Sequence, residues 1–487
     1  MRARYILMAA VLVTACISAN AQISGTQYFM NSVPQYVNNN PAFIPKYKFT
    51  LGLPGSMVDV NYFNSGFTYN DLTRVENGKR VATLPRLIAA LPEKTYITTT
   101  AQVDLFRFGL RIAPGTYLSL NSTVRGYVRG MIPKDAVALL VNGNDAYVGK
   151  TASISPAGEM LTFWENSAGL AITPVENLTV GARVKILRGF LNANTATANA
   201  TVSVSDTYDN TVSADLDART SGIQGFNDQD FRLSNYSGNA GFAFDLGATF
   251  KPFDKLTLAA SLVDIGAIKW KNNTYQYTLD KSKATYTFDG FDLEKLVQGE
   301  SQGSETTDSL ESKFKPVEKQ GSAYSTVLPA KAYISASYDV LNNMSVGAVI
   351  YAERYMGRLS SGMTLGMNKH FGKVISTTLS YTVSNRSFNN LGAGLSLNLT
   401  PIQIYVVGDN LLRLPVSMAV NRTANDFINS TQVFTLRAGV NFVWGWTKEG
   451  KKIEDKSYNS KKKGVKTSSD TGKHPAPKAV SVRKKKR

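Results

Sequence analysis

Leu391-Gly392-Ala393-Gly394-Leu395-Ser396-Leu397-Asn398-Leu399-Thr400 alternates apolar with small or polar residues throughout. Side chains of an extended chain point to opposite faces with period two. Leu391, Ala393, Leu395, Leu397 and Leu399 therefore share one face, and Gly392, Gly394, Ser396, Asn398 and Thr400 the other. The stretch reads as a strand with one greasy and one wet side.

The pattern recurs along the chain. Phe106, Phe108, Leu110 and Ile112 oppose Arg107, Gly109 and Arg111, while Val180, Ala182, Val184 and Ile186 oppose Gly181, Arg183 and Lys185. Phe242, Phe244, Leu246 and Phe250 form another apolar face, and Leu379, Tyr381 and Val383 a further one. The last such stretch sets Phe434, Leu436, Val440, Phe442 and Trp444 against Thr435, Arg437, Gly439 and Asn441. A tilted strand needs about 9–11 residues to cross a bilayer, against about 5–6 for an ordinary strand. Several stretches here are that long, which predicts an all-β fold: a transmembrane antiparallel barrel over residues 47–446 of about 14 strands, with 12 or 16 open. Charge at the bilayer midplane costs about 2–4 kcal/mol, so Arg107, Arg111, Arg183, Lys185 and Arg437 are expected to face the lumen. Trp270, Trp444 and Trp446 are expected at the membrane interfaces, where aromatic residues gather, with core burial as the plain alternative.

Short turns with Pro or Asn join some strands, as at Pro174, Pro252, Asn342-Asn343 and Pro401. Residues 189–238 and 271–327, rich in Asp, Asn, Ser, Thr and Gly, read as long extracellular loops, with one or two helical turns over 291–298. Asp264 and Asp409, in Leu262-Val263-Asp264-Ile265-Gly266 and Val407-Gly408-Asp409-Asn410, read as turn-capping carboxylates.

The start of the chain is an export signal. Arg2 and Arg4 precede a mostly apolar run, and Ala19-Asn20-Ala21 offers a cleavage site before Gln22. Cys16, the single cysteine, also completes a lipoprotein-like Val13-Thr14-Ala15-Cys16 box. Cleavage after Ala21 leaves no thiol and no disulfide. No later run of 18 apolar residues exists, so a membrane crossing requires a closed sheet.

The chain of 487 residues carries a formal charge of +18, of which +11 belongs to residues 447–487 and +2 to the signal, leaving +5 for residues 22–446. Basicity is thus a property of the tail, which carries Lys461-Lys462-Lys463 and Arg483-Lys484-Lys485-Lys486-Arg487 and too few apolar residues to fold. Export takes it away from nucleic acid. Anionic cell-wall groups, lipid or a periplasmic partner are the expected contacts, with a merely solvated tail the alternative. Enzymatic chemistry is not expected: His370 and His474 are the only histidines, and no Gly-x-Ser-x-Gly motif accompanies them. No cofactor is expected.

Residues 22–46 hold Gln27-Tyr28-Phe29-Met30-Asn31 and Asn40-Pro41-Ala42-Phe43, poor in alternation and read as extended coil. With these two elements after a signal ending in Ala-Gln, the chain resembles the PorP/SprF-like outer-membrane proteins of type IX secretion. It is similar also to a related family of uncharacterised outer-membrane barrels, through Ala260-Ser261-Leu262-Val263-Asp264-Ile265-Gly266 and the Trp270 that follows. The resemblance implies an outer-membrane location and a structural, secretion-associated or surface-attachment role, with secretion-machinery or periplasmic proteins as partners. Two other readings stand beside it. One is a long-chain fatty-acid-type transporter of hydrophobic molecules, in which Asn40, Pro41, Ala42 and Phe43 belong to a lumenal plug. The other is a soluble periplasmic β protein.

Overall fold

The computed structural model describes residues 25–67, 73–76, 79–82, 84–224, 238–288, 309, 311–355, 358–384, 387–410 and 433–446. The segment read as an export signal, the helical turns expected over 291–298 and the basic tail lie outside them.

Fourteen strands close into one antiparallel barrel. The first, β1, comes in two parts, Tyr47–Gly52 and Val58–Asn64. Then follow β2 (Lys94–Ala113), β3 (Thr116–Pro133), β4 (Ala157–Val175), β5 (Leu178–Val204), β6 (Ala240–Phe253) and β7 (Leu256–Trp270). The second half is β8 (Lys331–Leu341), β9 (Met344–Tyr355), β10 (Arg358–Phe371), β11 (Ile375–Ser384), β12 (Ser387–Leu399), β13 (Ile402–Asp409) and β14 (Val433–Trp446). Strand β14 closes the ring on both parts of β1, pairing Tyr47 with Trp446 and Val58 with Ala438. Pro54, which has no N–H for the ladder, lies in the break of β1. The turns β2–β3, β4–β5, β6–β7, β8–β9, β10–β11 and β12–β13 are all short and share one end with Tyr47 and Trp446.

Burial is inverted relative to a water-soluble sandwich. In β12, Leu391, Leu395 and Leu399 are exposed, while Ser396 and Asn398 are buried. In β14, Leu436, Val440 and Trp444 are exposed, and Thr435, Arg437 and Asn441 are buried. Phe242, Leu246, Val184, Ile186 and Leu379 repeat the outward apolar face. Closure removes every edge, so the backbone is satisfied without solvent.

Of the two segments read as loops, the described part of 189–238 is mostly strand, and 271–327 contributes the short strands Thr274–Leu279, Thr285–Phe288, Val317–Gln320 and Tyr324–Val327. Strand β5 runs 27 residues, or ~90 Å at about 3.3 Å per residue, far beyond the ~25 Å apolar band of a membrane barrel. Its far half pairs with Asn210–Ser221, which in turn pairs with Thr274–Leu279 and Thr285–Phe288. Leu191-Asn192-Ala193-Asn194-Thr195-Ala196-Thr197 shows no greasy face, because the far half of this strand stands clear of the apolar band. Thr and Val still favour the pleated backbone there.

The segment expected as extended coil is instead compact. Gly25–Tyr28 forms one helical turn and Pro34–Asn38 a short 3₁₀ helix, both almost wholly buried.

Candidate functional site

Three groups of side chains fill the described lumen. The folded segment 25–46 reaches from the short turns at Tyr47 to Asp409 and borders a charged chamber. An aromatic cluster closes the series toward the long connections.

The segment is fastened to the wall on many strands. Asn368 donates to the Phe29 carbonyl at 2.8 Å, and Gln403 to the Ser32 carbonyl at 2.7 Å. Gln35 and Asn441 exchange side-chain hydrogen bonds at 2.8 and 3.0 Å. Thr26 donates to Asp409 through both its backbone N–H and its hydroxyl. Asn40 turns the chain by accepting the Ala42 N–H on Oδ1 at 2.8 Å, while its Nδ2 reaches the Ala260 carbonyl at 3.2 Å. Phe43 stacks on Tyr36 with ring centroids 4.9 Å apart, and Pro41 lies directly over Gly181 of β5. A side chain at Gly181 would occupy the place of the Pro41 carbonyl, just as one at Gly366 would collide with the Phe29 ring. Wall glycines thus form the seats of this segment.

Four of the five expected lumenal cations are buried, and three of the five grip the segment directly. Arg183 Nη2 donates to the Val37 carbonyl at 2.9 Å, Arg111 Nη2 to the Pro45 carbonyl at 2.6 Å, and Arg107 Nη2 to Asn38 Oδ1 at 3.3 Å. Arg437 pairs with Asp59 at 2.7 Å. Lys185 lies deeper in the chamber, 2.8 Å from Asp245 and 2.5 Å from Asp264.

Asp264 is the centre of that chamber. Arg125 reaches it with both terminal guanidinium nitrogens, at 2.9 and 2.8 Å, and reaches Glu165 at 2.7 Å. Asp245 accepts from Arg183 at 3.1 Å and from the Asp264 N–H at 2.8 Å. Arg129 pairs with Glu353 at 2.7 Å nearby. Acids and bases alternate, so each buried charge has an opposite neighbour, the condition under which burial is tolerated. A cavity of about 140 Å³ remains among these groups, with Gln27, Asn38 and Asn39 of the segment forming part of its lining. That volume and lining suit water or a small polar solute.

Asp264 has a backbone φ of +63°, and the β6–β7 register slips beside it. Val263 and Asp264 are consequently both buried, one after the other. The slip reverses the phase of the rest of β7. This corrects the reading of Asp264 as a turn cap, and that of Trp270 as an interfacial residue. Without the slip, Trp270 would share the outer face of Leu258 and Leu262. With it, Trp270 is fully buried, donates to Thr326 at 3.1 Å and packs with Tyr127, Phe163, Ile268 and Tyr324 in the aromatic cluster. Asp409 is likewise no turn cap, since it holds Thr26 inside the barrel.

The remaining tryptophans part company. Trp444 is on the outer surface beside Phe49 and Phe442. Gly445 has φ of +71°, and Trp446 packs edge-on against Tyr47 and His370 with Lys46 over its ring.

Residues 41–409 match a family described only as "Family of unknown function (DUF5723)". The chain belongs to that family. No curated protein matches it. Similar solved structures include a Pseudomonas aeruginosa FadL homologue, at 12% identity and TM-score 0.39, covering 88% of this chain and 99% of that one. The Ralstonia pickettii toluene transporter TbuX stands at 10% identity and TM-score 0.40, with 88% and 96% covered. The barrel assignment rests on the chain's own closed ladder.

Arg125, Arg129, Glu165, Asp245 and Glu353 complete the chamber and were not singled out from the sequence. Their signal was available in part: Ser119, Asn121, Thr123 and Arg125 alternate in β3. Parity extended over each strand assigns these residues to the lumen.

Proposed function

We propose that this family member is an integral outer-membrane barrel closed by its own N-terminal segment, with a structural role in secretion or surface attachment. One observation carries the reading: the apolar face is exposed and the ion-paired face buried around a segment that hydrogen-bonds to the wall. Water would reverse that distribution, and hydrocarbon favours it. The soluble β protein is disfavoured on the same ground, since exposed Leu, Ile, Val and Phe cover most of the wall.

A fixed segment and a charged chamber suit a scaffold better than a path for hydrophobic molecules. Burying apolar solutes among Arg125, Lys185, Asp264 and Glu165 would strip these groups of polar contacts. The PorP/SprF-like resemblance supports partners from a secretion machinery or the periplasm, and the +11 tail supports contact with anionic cell-wall groups. The transporter reading retains one supporting observation, the lumenal aromatic cluster of Tyr127, Phe163, Trp270 and Tyr324.

The test is capture of the intact protein from detergent-solubilised envelopes, alongside a form lacking residues 25–46. A scaffold yields specific envelope partners that the shortened form loses, with permeability to hydrophobic dyes unchanged. No partner, together with a rise in dye entry on shortening, favours transport and contradicts the scaffold.

A further inference from the structure

The outer wall carries an oblique furrow of about 440 Å³ across β6 to β10. Its floor is four alanines: Ala248 pairs with Ala260 on β6 and β7, and Ala336 pairs with Ala348 on β8 and β9, one row closer to the short turns. Phe250 and Leu258, a cross-strand pair, bank it on the side of the short turns. Ile334, Ile350 and Met363 bank the opposite side, paired in sequence across β8, β9 and β10. The lining is almost wholly apolar and continuous with the exposed apolar wall. A void there would forfeit dispersion contacts on one side, so the furrow has to be filled in a membrane.

Its lower end leads to polar groups. Tyr338, 47% exposed, is two residues beyond Ala336 on the same face of β8, toward the turn. Leu256 pairs with Tyr338, and the Lys255 carbonyl accepts the Asp339 N–H at 2.8 Å, which sets Lys255 beside it. Asp254, in the same turn, is exposed as Lys255 is. A phenol, an ammonium and a carboxylate at the foot of an apolar channel match the phosphate and amine of a zwitterionic phospholipid, with one chain lying in the furrow.

We propose that this furrow, with Tyr338, Lys255 and Asp254 at its foot, is a fixed site for one phospholipid. The inference rests on the membrane reading above. Chain packing supplies the affinity and the turn supplies the headgroup contacts.

Native mass spectrometry of the purified full-length protein in mild detergent, with added phosphatidylethanolamine, tests it. Ala336→Phe with Ala348→Phe fills the furrow from the lipid side. Lys255→Gln with Tyr338→Phe removes headgroup partners and leaves the furrow intact. Each pair is expected to weaken lipid retention about tenfold, with excess inorganic phosphate displacing nothing. Retention by either variant pair equal to that of the wild type overturns the site, as does displacement by inorganic phosphate, or a furrow-dependent dimer that carries no lipid. Alkaline carbonate washing of envelopes is run first on every form. Release of the wild type there sinks the membrane reading itself, whereas an embedded protein without a furrow-dependent lipid sinks only the site.

Discussion

Asp264 shows how one residue redirects a wall strand. Its left-handed backbone places two successive side chains in the lumen and brings its carboxylate between Arg125 and Lys185. Removing one member of a buried ion cluster leaves uncompensated charge, at a cost of about 3–5 kcal/mol. Asp264→Ala is therefore expected to lower stability by that order in urea unfolding of the micelle-embedded protein, with Asp217→Ala, at a solvent-facing pair, costing less than about 1 kcal/mol. Equal costs for the two would show that the chamber is not the buried, ion-paired cluster described. Arg183 and Arg437 were legible from sequence because they sit mid-strand in unbroken alternation. Asp264 and Trp270 were not, since alternation carries no record of a backbone slip. Such a slip costs one residue of phase and reverses every position after it.

At the scale of elements, the outer face was legible where alternation is unbroken, and the lumenal segment was legible as a possible plug but not as a compact fold. Apolar periodicity reports a strand facing hydrocarbon. Residues 25–46 pack through Asn, Gln and carbonyl contacts, which have no period. Two substitutions separate the outer face of β12 from the turn that follows it. Leu395→Arg is expected to cost about 2–4 kcal/mol if that position is near the bilayer midplane, falling toward zero near an interface. Thr400→Arg, in the turn, is expected to cost little, and unfolding midpoints in micelles of one lipid measure both. A strand solvated by water would tolerate Leu395→Arg as readily as Thr400→Arg. For the segment, Gly366→Leu places a side chain where the Phe29 ring sits. Trypsin cleavage after Lys46 should then accelerate several-fold in the folded barrel, and an unchanged rate would mean that Phe29 does not seat there. The far half of β5 was misread for a related reason: with water on both sides, a strand and a loop share one composition.

The described barrel is a closed apolar cylinder around a polar interior that residues 25–46 complete. Fold class followed from the sequence because every strand repeats one physical demand, oil outside and hydrogen bonds inside. The interior chemistry depends on pairings between residues more than a hundred positions apart, such as Arg125 with Asp264 and Arg129 with Glu353. No local pattern encodes those. Cys16 is the single cysteine of the sequence, so single cysteines can be introduced one at a time into a form that begins at Gln22. The most direct measurement places them successively at positions 391–399 of the refolded protein in lipid vesicles, each carrying an environment-sensitive fluorophore quenched by spin-labelled lipid chains. Positions 391, 393, 395, 397 and 399 should be quenched and 392, 394, 396 and 398 spared. Uniform quenching, or quenching by a water-soluble agent at the odd positions, would contradict the barrel's orientation in hydrocarbon.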